Sequence, residues 1–259
     1  MLGSLVVGGL LLCPVAIAAD LWALAPLVND ASDSGLIVAE AVVGGAYMSD
    51  VVPPFRAGSR DRAVIDGTAT VGLAQRVQIG VSGNWLREET PSGSVAAGFG
   101  DLRVGTAVRV ARVGPVDMQL GWEAKLPNAA DEGELGTDET DVLFGVGAGG
   151  QFGEFGAFAA VGLGVLGNPL RFANQDDVPL VRVAALWRRG TVAISPRFAL
   201  DVGTARNPVR SDAGALVRVG KRGFIEVGGA AGLVPASPDW AVSVGFGWRA
   251  PLPTPASGE

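Results

Sequence analysis

The sequence predicts an all-β fold, an antiparallel up-and-down transmembrane β-barrel of about twelve strands with short periplasmic turns and longer external loops. Three observations predict it. Apolar and polar residues alternate with a period of two in segment after segment. The connections between those segments alternate between tight turns and long loops. The tryptophans of the segments all fall on the apolar register and away from segment centres, where indoles settle at membrane interfaces.

Composition narrows the class first. The chain has 259 residues, 48% of them hydrophobic, which excludes a disordered polymer. Mean hydropathy is +0.35 although 18% of the residues are charged. With Lys+Arg 20 against Asp+Glu 26 the net charge is −6, a poor match for nucleic acid. There is no His, so the commonest general base and zinc ligand are missing. The single Cys, Cys13, cannot form an internal disulfide. No metal or cofactor is implied.

Residues 1–18 read as a secretory signal peptide. Residues 2–19 carry no charged side chain, their apolar centre is Leu10-Leu11-Leu12, and Ala16-Ile17-Ala18 is an A-x-A cleavage pattern. The mature chain then begins at Ala19 or Asp20 and contains no Cys, as suits an oxidising compartment. An uncleaved anchor is the alternative, since about 18 apolar residues barely span a bilayer. Residues 19–35 form an N-terminal segment, 36–250 the barrel, and 251–259 a Pro-rich tail. After the N-terminal stretch no run is apolar and long enough for a spanning helix, so a membrane-embedded chain must close its strands into a barrel.

The strands follow in order. Segments 36–47 and 62–73 place Glu40 and Asp66 on their polar registers. In 76–87, Val77, Ile79, Val81, Gly83 and Trp85 oppose Gln78, Ser82 and Asn84. In 99–111, Leu102, Val104, Thr106, Val108 and Val110 oppose Asp101, Arg103, Gly105, Ala107, Arg109 and Ala111. Segment 115–126 alternates strictly, with Val116, Met118, Leu120, Trp122, Ala124 and Leu126 against Asp117, Gln119, Gly121, Glu123 and Lys125. Segments 139–151, 155–166 and 178–188 carry Asp141 and Arg182 on the polar register and Trp187 on the apolar one. In 191–203, Val192, Ile194, Pro196, Phe198, Leu200 and Val202 oppose Ser195, Arg197 and Asp201. Segments 212–220 and 224–234 contribute Arg218 and Glu226, and 240–250 sets Trp240, Val242, Val244, Phe246 and Trp248 against Ser243 and Arg249.

Long connections run over Asp50 to Arg60, Arg87 to Gly98, Pro127 to Asp138, Gly167 to Asp177, Thr204 to Ser211 and Pro235 to Asp239. Short ones are Ala74-Gln75, Arg112-Val113-Gly114, Phe152-Gly153-Glu154, Arg189-Gly190 and Lys221-Arg222-Gly223.

The apolar register carries no charge at mid-strand, so it faces lipid, where a Lys or Arg costs about 2–4 kcal/mol. Val104 and Leu120 thus point to lipid, and Arg103 and Glu123 point inward. A soluble sandwich or lipocalin-like barrel would show the same alternation with its apolar face inside. The aromatics favour the membrane: Trp85, Trp122 and Trp240 form an interfacial girdle towards the loop end, Trp187 and Trp248 another towards the turn end.

The chemistry-bearing motifs are few. Gly145-x-Gly147-x-x-Gly150 and Gly162-x-Gly164-x-x-Gly167 spell the dinucleotide fingerprint, but neither lies in a βαβ unit. The acidic pairs Asp131/Glu132 and Asp176/Asp177 fall in external loops, where solvated carboxylates are ordinary, and no spacing makes a calcium loop. An enzyme is therefore not expected. The lumen is the remaining candidate. Asp66, Asp101, Arg103, Arg109, Asp117, Glu123, Lys125, Asp141, Arg182, Arg197, Asp201 and Arg218 are expected to share it at similar depths, as a charged constriction or as paired charges that plug the bore.

Several short motifs bear a family likeness. They are Gly98-Phe99-Gly100-Asp101-Leu102-Arg103-Val104-Gly105, then Leu126-Pro127, then Leu135-Gly136-Thr137-Asp138-Glu139-Thr140-Asp141-Val142. Their order resembles the outer-membrane transporter family of the MetA pathway of phenol degradation, over roughly residues 62–250, with Asn128-Ala129 in place of that family's Thr-Gly. Ser237-Pro238-Asp239-Trp240 is similar to the barrel half of some OmpA-type proteins, without a peptidoglycan-binding domain after it. The first resemblance implies a Gram-negative outer-membrane barrel passing small solutes, aromatic or hydrophobic ones among them. The alternative is a closed structural or adhesive barrel acting through its loops. Expected partners are outer-membrane lipid, the barrel assembly machinery and a small solute.

Overall fold

The computed structural model describes residues 37–51, 60–73, 76–127, 140–167, 176–202 and 209–252. The expected signal peptide, N-terminal segment, Cys13 and most of the tail lie outside these residues.

Thirteen strands form one antiparallel sheet: β1 (Ile37–Val51), β2 (Arg60–Leu73), β3 (Val77–Glu89), β4 (Val95–Phe99), β5 (Leu102–Val113), β6 (Val116–Leu126), β7 (Asp141–Phe152), β8 (Phe155–Leu166), β9 (Asp176–Arg189), β10 (Val192–Asp201), β11 (Arg210–Gly220), β12 (Gly223–Gly232) and β13 (Trp240–Leu252). Neighbours in sequence pair with one another except β4 and β5, and β1 pairs with β13 along Ile37↔Leu252 to Ser49↔Trp240, so the sheet closes. β4 and β5 occupy a single position beside β3: β4 pairs with Trp85–Glu89 and β5 with Val77–Ser82. The wall therefore has twelve strand positions, the number the alternation predicts. Closure pairs every strand on both sides except the short β4, which pairs with β3 alone.

Two departures from the expected elements have local causes. The stretch Arg87 to Gly98 is not a long loop. β3 continues to Glu89, and a tight turn leads into β4. Gly93 N–H donates to Thr90 O at 2.8 Å, Ser94 N–H donates to Thr90 Oγ1 at 3.0 Å, and Gly93 takes the left-handed φ of 83° that glycine tolerates. This hairpin carries an outward ion pair, Arg87–Glu89, above the level of Trp85, where such charges can reach water. The second departure is a bulge. Arg109 pairs with Gln119 but Ala111 pairs with Met118, leaving Val110 unpaired. The extra residue reverses the facing beyond it, so Ala111 turns outward and Arg112 inward.

The two faces differ as a membrane barrel requires. Val43, Ile65, Val146, Val161 and Phe246 each expose half or more of their surface, and Leu120, Val146 and Val161 form a continuous outward row across β6, β7 and β8. So extensive an apolar exterior is unfavourable in water and favourable in lipid. Val104 and Leu120 stand on this outer register, Arg103 and Glu123 on the inner one. Trp85, Trp122 and Trp240 point outward nearer the loop end, Trp187 and Trp248 nearer the turn end. Among the described residues no helix is long and apolar enough to cross a membrane.

Candidate functional site

The inner face is built by the polar register of each strand. Every one of the twelve lumen candidates described by sequence projects from it, and most are held by an ion pair. Near the loop end, Lys125 Nζ lies 2.6 Å from Asp141 and 3.5 Å from Asp101, and Arg182 lies 2.7 Å from Asp201. Glu88 holds Arg60 at 3.3 Å and also pairs with Arg62. Lower down, Arg103 donates to Glu123 at 2.7 Å. Near the turn end, Arg112 donates to Asp117 through Nε and Nη2 at 2.6 and 2.7 Å, with Arg109 at 3.4 Å. Arg218 Nε donates to Glu226 at 2.6 Å and its Nη2 to Glu40 at 3.0 Å.

The charges do not share one depth. On β6 alone, Asp117 is the second residue and Lys125 the second from last, about 26 Å apart along an extended strand at ~3.3 Å per residue. The pairs also have a common direction. Those of Arg103, Arg112, Lys125–Asp141 and Arg182 join neighbouring strands and lie along the wall. Arg218 is the exception. It reaches from β11 past β12 and β13 to Glu40 on β1.

That reach is prepared by small residues. The Phe224 ring lies over Gly247, where any Cβ would collide with it, and the Arg218 guanidinium stacks on the ring at 3.8 Å. Glu40, Arg218, Glu226 and Arg249 are all at most 5% exposed, so this side of the turn end is sealed. At mid-barrel the inner face is more open. Asp66, Ser82, Asn84, Arg103 and Arg197 keep intermediate exposure, with the Arg103 side chain at 30%.

The alternation pattern missed three features. Arg112 reads as a turn residue and joins Asp117 only because of the bulge. Glu88, read as loop, is an inward counter-ion for two arginines. The inner face is also less polar than its charges suggest. Met48, Val64, Leu86 and Leu216 belong to one buried apolar cluster, and Leu143, Phe158, Val178 and Leu180 to another. One fingerprint-like glycine serves the second cluster: the Phe158 ring lies over Gly147 and over the nearby Gly149, where a Cβ would sit within 3 Å of it. Asp131 and Glu132 lie outside the described residues, and Asp177 stands exposed at the start of β9. Among the described residues, no three His, Cys, Asp or Glu converge as a metal site.

No family model matches the chain, and no curated protein matches it in sequence. Among solved structures it is similar to the COG4313 outer membrane channel from Pseudomonas putida F1, with a TM-score of 0.64 and 9% identity over 85% of this chain and 97% of that one. The NanC porin matches with a TM-score of 0.58 and 9% identity over 82% of this chain and 100% of that one. The KdgM porin in complex with disordered oligogalacturonate gives 0.52 and 8% identity over 81% of this chain and 98% of that one. At these identities the likeness is one of fold, and the fold is that of porin-like outer-membrane barrels. It accords with the kind of protein that the short motifs resemble.

Proposed function

We propose that the barrel lies in the outer membrane of a Gram-negative bacterium and passes small solutes by passive diffusion through a narrow charged lumen. The observation that carries this reading is the direction of the ion pairs. Running mostly between neighbouring strands, they satisfy buried charges while lying against the wall, and the mid-barrel inner residues remain partly exposed. The apolar patches on the same face favour solutes with an aromatic or aliphatic part. Refolded protein is expected to give discrete single-channel currents in planar bilayers, with folding checked by heat-modifiable mobility. Folded protein that carries no current refutes the reading.

One observation favours the closed alternative, a structural or adhesive barrel acting through its external loops. The cluster of Arg218, Glu40 and Glu226 is buried and spans several strands. The same current measurement separates the two.

The proposal includes export through a cleaved signal peptide and insertion by the barrel assembly machinery into outer-membrane lipid. N-terminal sequencing of the outer-membrane form is expected to begin at Ala19 or Asp20. An intact Met1 in a soluble fraction refutes export.

A further inference from the structure

The charge pairing of the inner face has two gaps, at Asp212 near the loop end of β11 and at Asp66 at mid-barrel. Glu40, Glu88, Asp101, Asp117, Glu123, Asp141, Asp201 and Glu226 each have an Arg or Lys nitrogen within 3.5 Å. Asp66 has no such cation among the described residues, and its Oδ1 is enclosed without a hydrogen-bond partner. Two neighbouring oxygens share that condition. Asn84 is the Cα partner of Asp66 across β2 and β3, and its Oδ1 is likewise enclosed and unpartnered. Thr68, two residues along on the same face, is 5% exposed with an unpartnered Oγ1. Unsatisfied acceptors gathered in one place are costly and uncommon in a folded interior, so they call for a donor.

Glycine backbone packs close to two of them, while Asp66 and Asn84 as residues keep intermediate exposure towards the lumen. Gly44, the β1 partner of Asp66, has no side chain, and a Cβ there would stand 3.3 Å from Asp66 Oδ1. Gly100 lies on the other side, where a Cβ would collide with Asn84 Oδ1. Glycines thus flank the oxygens on both sides. The group is at mid-barrel, the level at which the inner face keeps some exposure.

We propose that Asp66, Asn84 and Thr68 form a binding position for the cationic, hydrogen-bond-donating end of a solute, of the primary ammonium class. An ammonium brings three donors and one positive charge, matching three acceptor oxygens of which one belongs to a carboxylate. An anionic solute would meet oxygens and a like charge there. The proposal deepens the solute-passing reading and rests on solute reaching the mid-lumen.

Saturation-transfer difference NMR on detergent-folded protein tests it with ethanolammonium as probe, acetate as the anionic control and empty micelles as blank. Wild type is expected to give an ethanolammonium signal and no acetate signal. Asp66→Asn, which keeps the side chain's shape, is expected to bind ethanolammonium about tenfold more weakly. Thr68→Val carries the test if Asp66→Asn does not fold, with a several-fold loss expected. An ethanolammonium signal unchanged in the folded variant overturns the site, as does an equal acetate signal. Loss of the signal in KCl but not in choline chloride of the same ionic strength overturns the ammonium assignment in favour of an alkali metal ion. The readout needs no current. A conducting barrel without Asp66-dependent binding refutes this site alone, whereas Asp66-dependent binding in a barrel that carries no current upholds the site and refutes the channel.

Discussion

Arg218→Ala is expected to destabilise the barrel by about 3–5 kcal/mol, the cost of leaving buried charges uncompensated. Arg218 is 3% exposed, and its guanidinium serves two carboxylates that are nearly inaccessible, Glu40 at 3% and Glu226 at 0%. Removing the cation leaves two anions facing each other in a poorly solvated corner, and Phe224 loses the charge stacked on its face. Arg249, the Cα partner of Glu40, stays in the same cluster and holds the loss towards the lower end of that range. The urea midpoint, followed by heat-modifiable mobility, reads the effect. The quadruple variant Arg218→Met, Arg249→Met, Glu40→Gln, Glu226→Gln is expected to recover most of it, because replacing a whole buried ion cluster is often nearly neutral. A single variant within about 1 kcal/mol of wild type would mean that the cluster is hydrated and open. If the quadruple variant conducts more than wild type, the bridge from β11 to β1 narrows the path.

Val146→Arg is expected to cost about 2–4 kcal/mol in liposomes, the penalty for a cation on the lipid face near the midplane. Val146 sits near the middle of β7, half exposed, between Leu120 and Val161 on the outward row. The same substitution at an exposed site in water is usually worth no more than about 0.5 kcal/mol. The two cases are far enough apart for equilibrium unfolding to distinguish them. A near-neutral Val146→Arg would place the outer face in water, and the interfacial reading of the five tryptophans would fall with it.

Most of the fold was legible because facing in a strand is a local property. Successive side chains point to opposite sides, so a one-residue register error would send every charge to the lipid face. The strict alternation of 116–126 therefore gave β6 its bounds and both its faces. Elsewhere the ends drifted by a few residues, as at β1, which runs on to Val51. The Arg87 to Gly98 hairpin was hidden because Val95-Ala96-Ala97-Gly98-Phe99 holds too few polar residues to show a period. The bulge at Val110 was hidden because one inserted residue is visible only against the strand it pairs with.

The candidate site divides along the same line. Which charges face inward follows from the period of two and the penalty for charge in lipid, both written into a single strand. Which charge meets which partner does not. Arg218 and Glu40 are 178 residues apart and meet because closure of the sheet sets β1 three positions from β11, and because glycines leave space for Phe224 beneath the arginine. Asp117 takes Arg112 in preference to Arg109 because a bulge turns one more arginine inward. Asp66 is left without a cation because its neighbours across the sheet are Gly44 and Asn84. Alternation is set by residues adjacent in the chain, whereas pairing depends on register between strands, which only the closed barrel establishes.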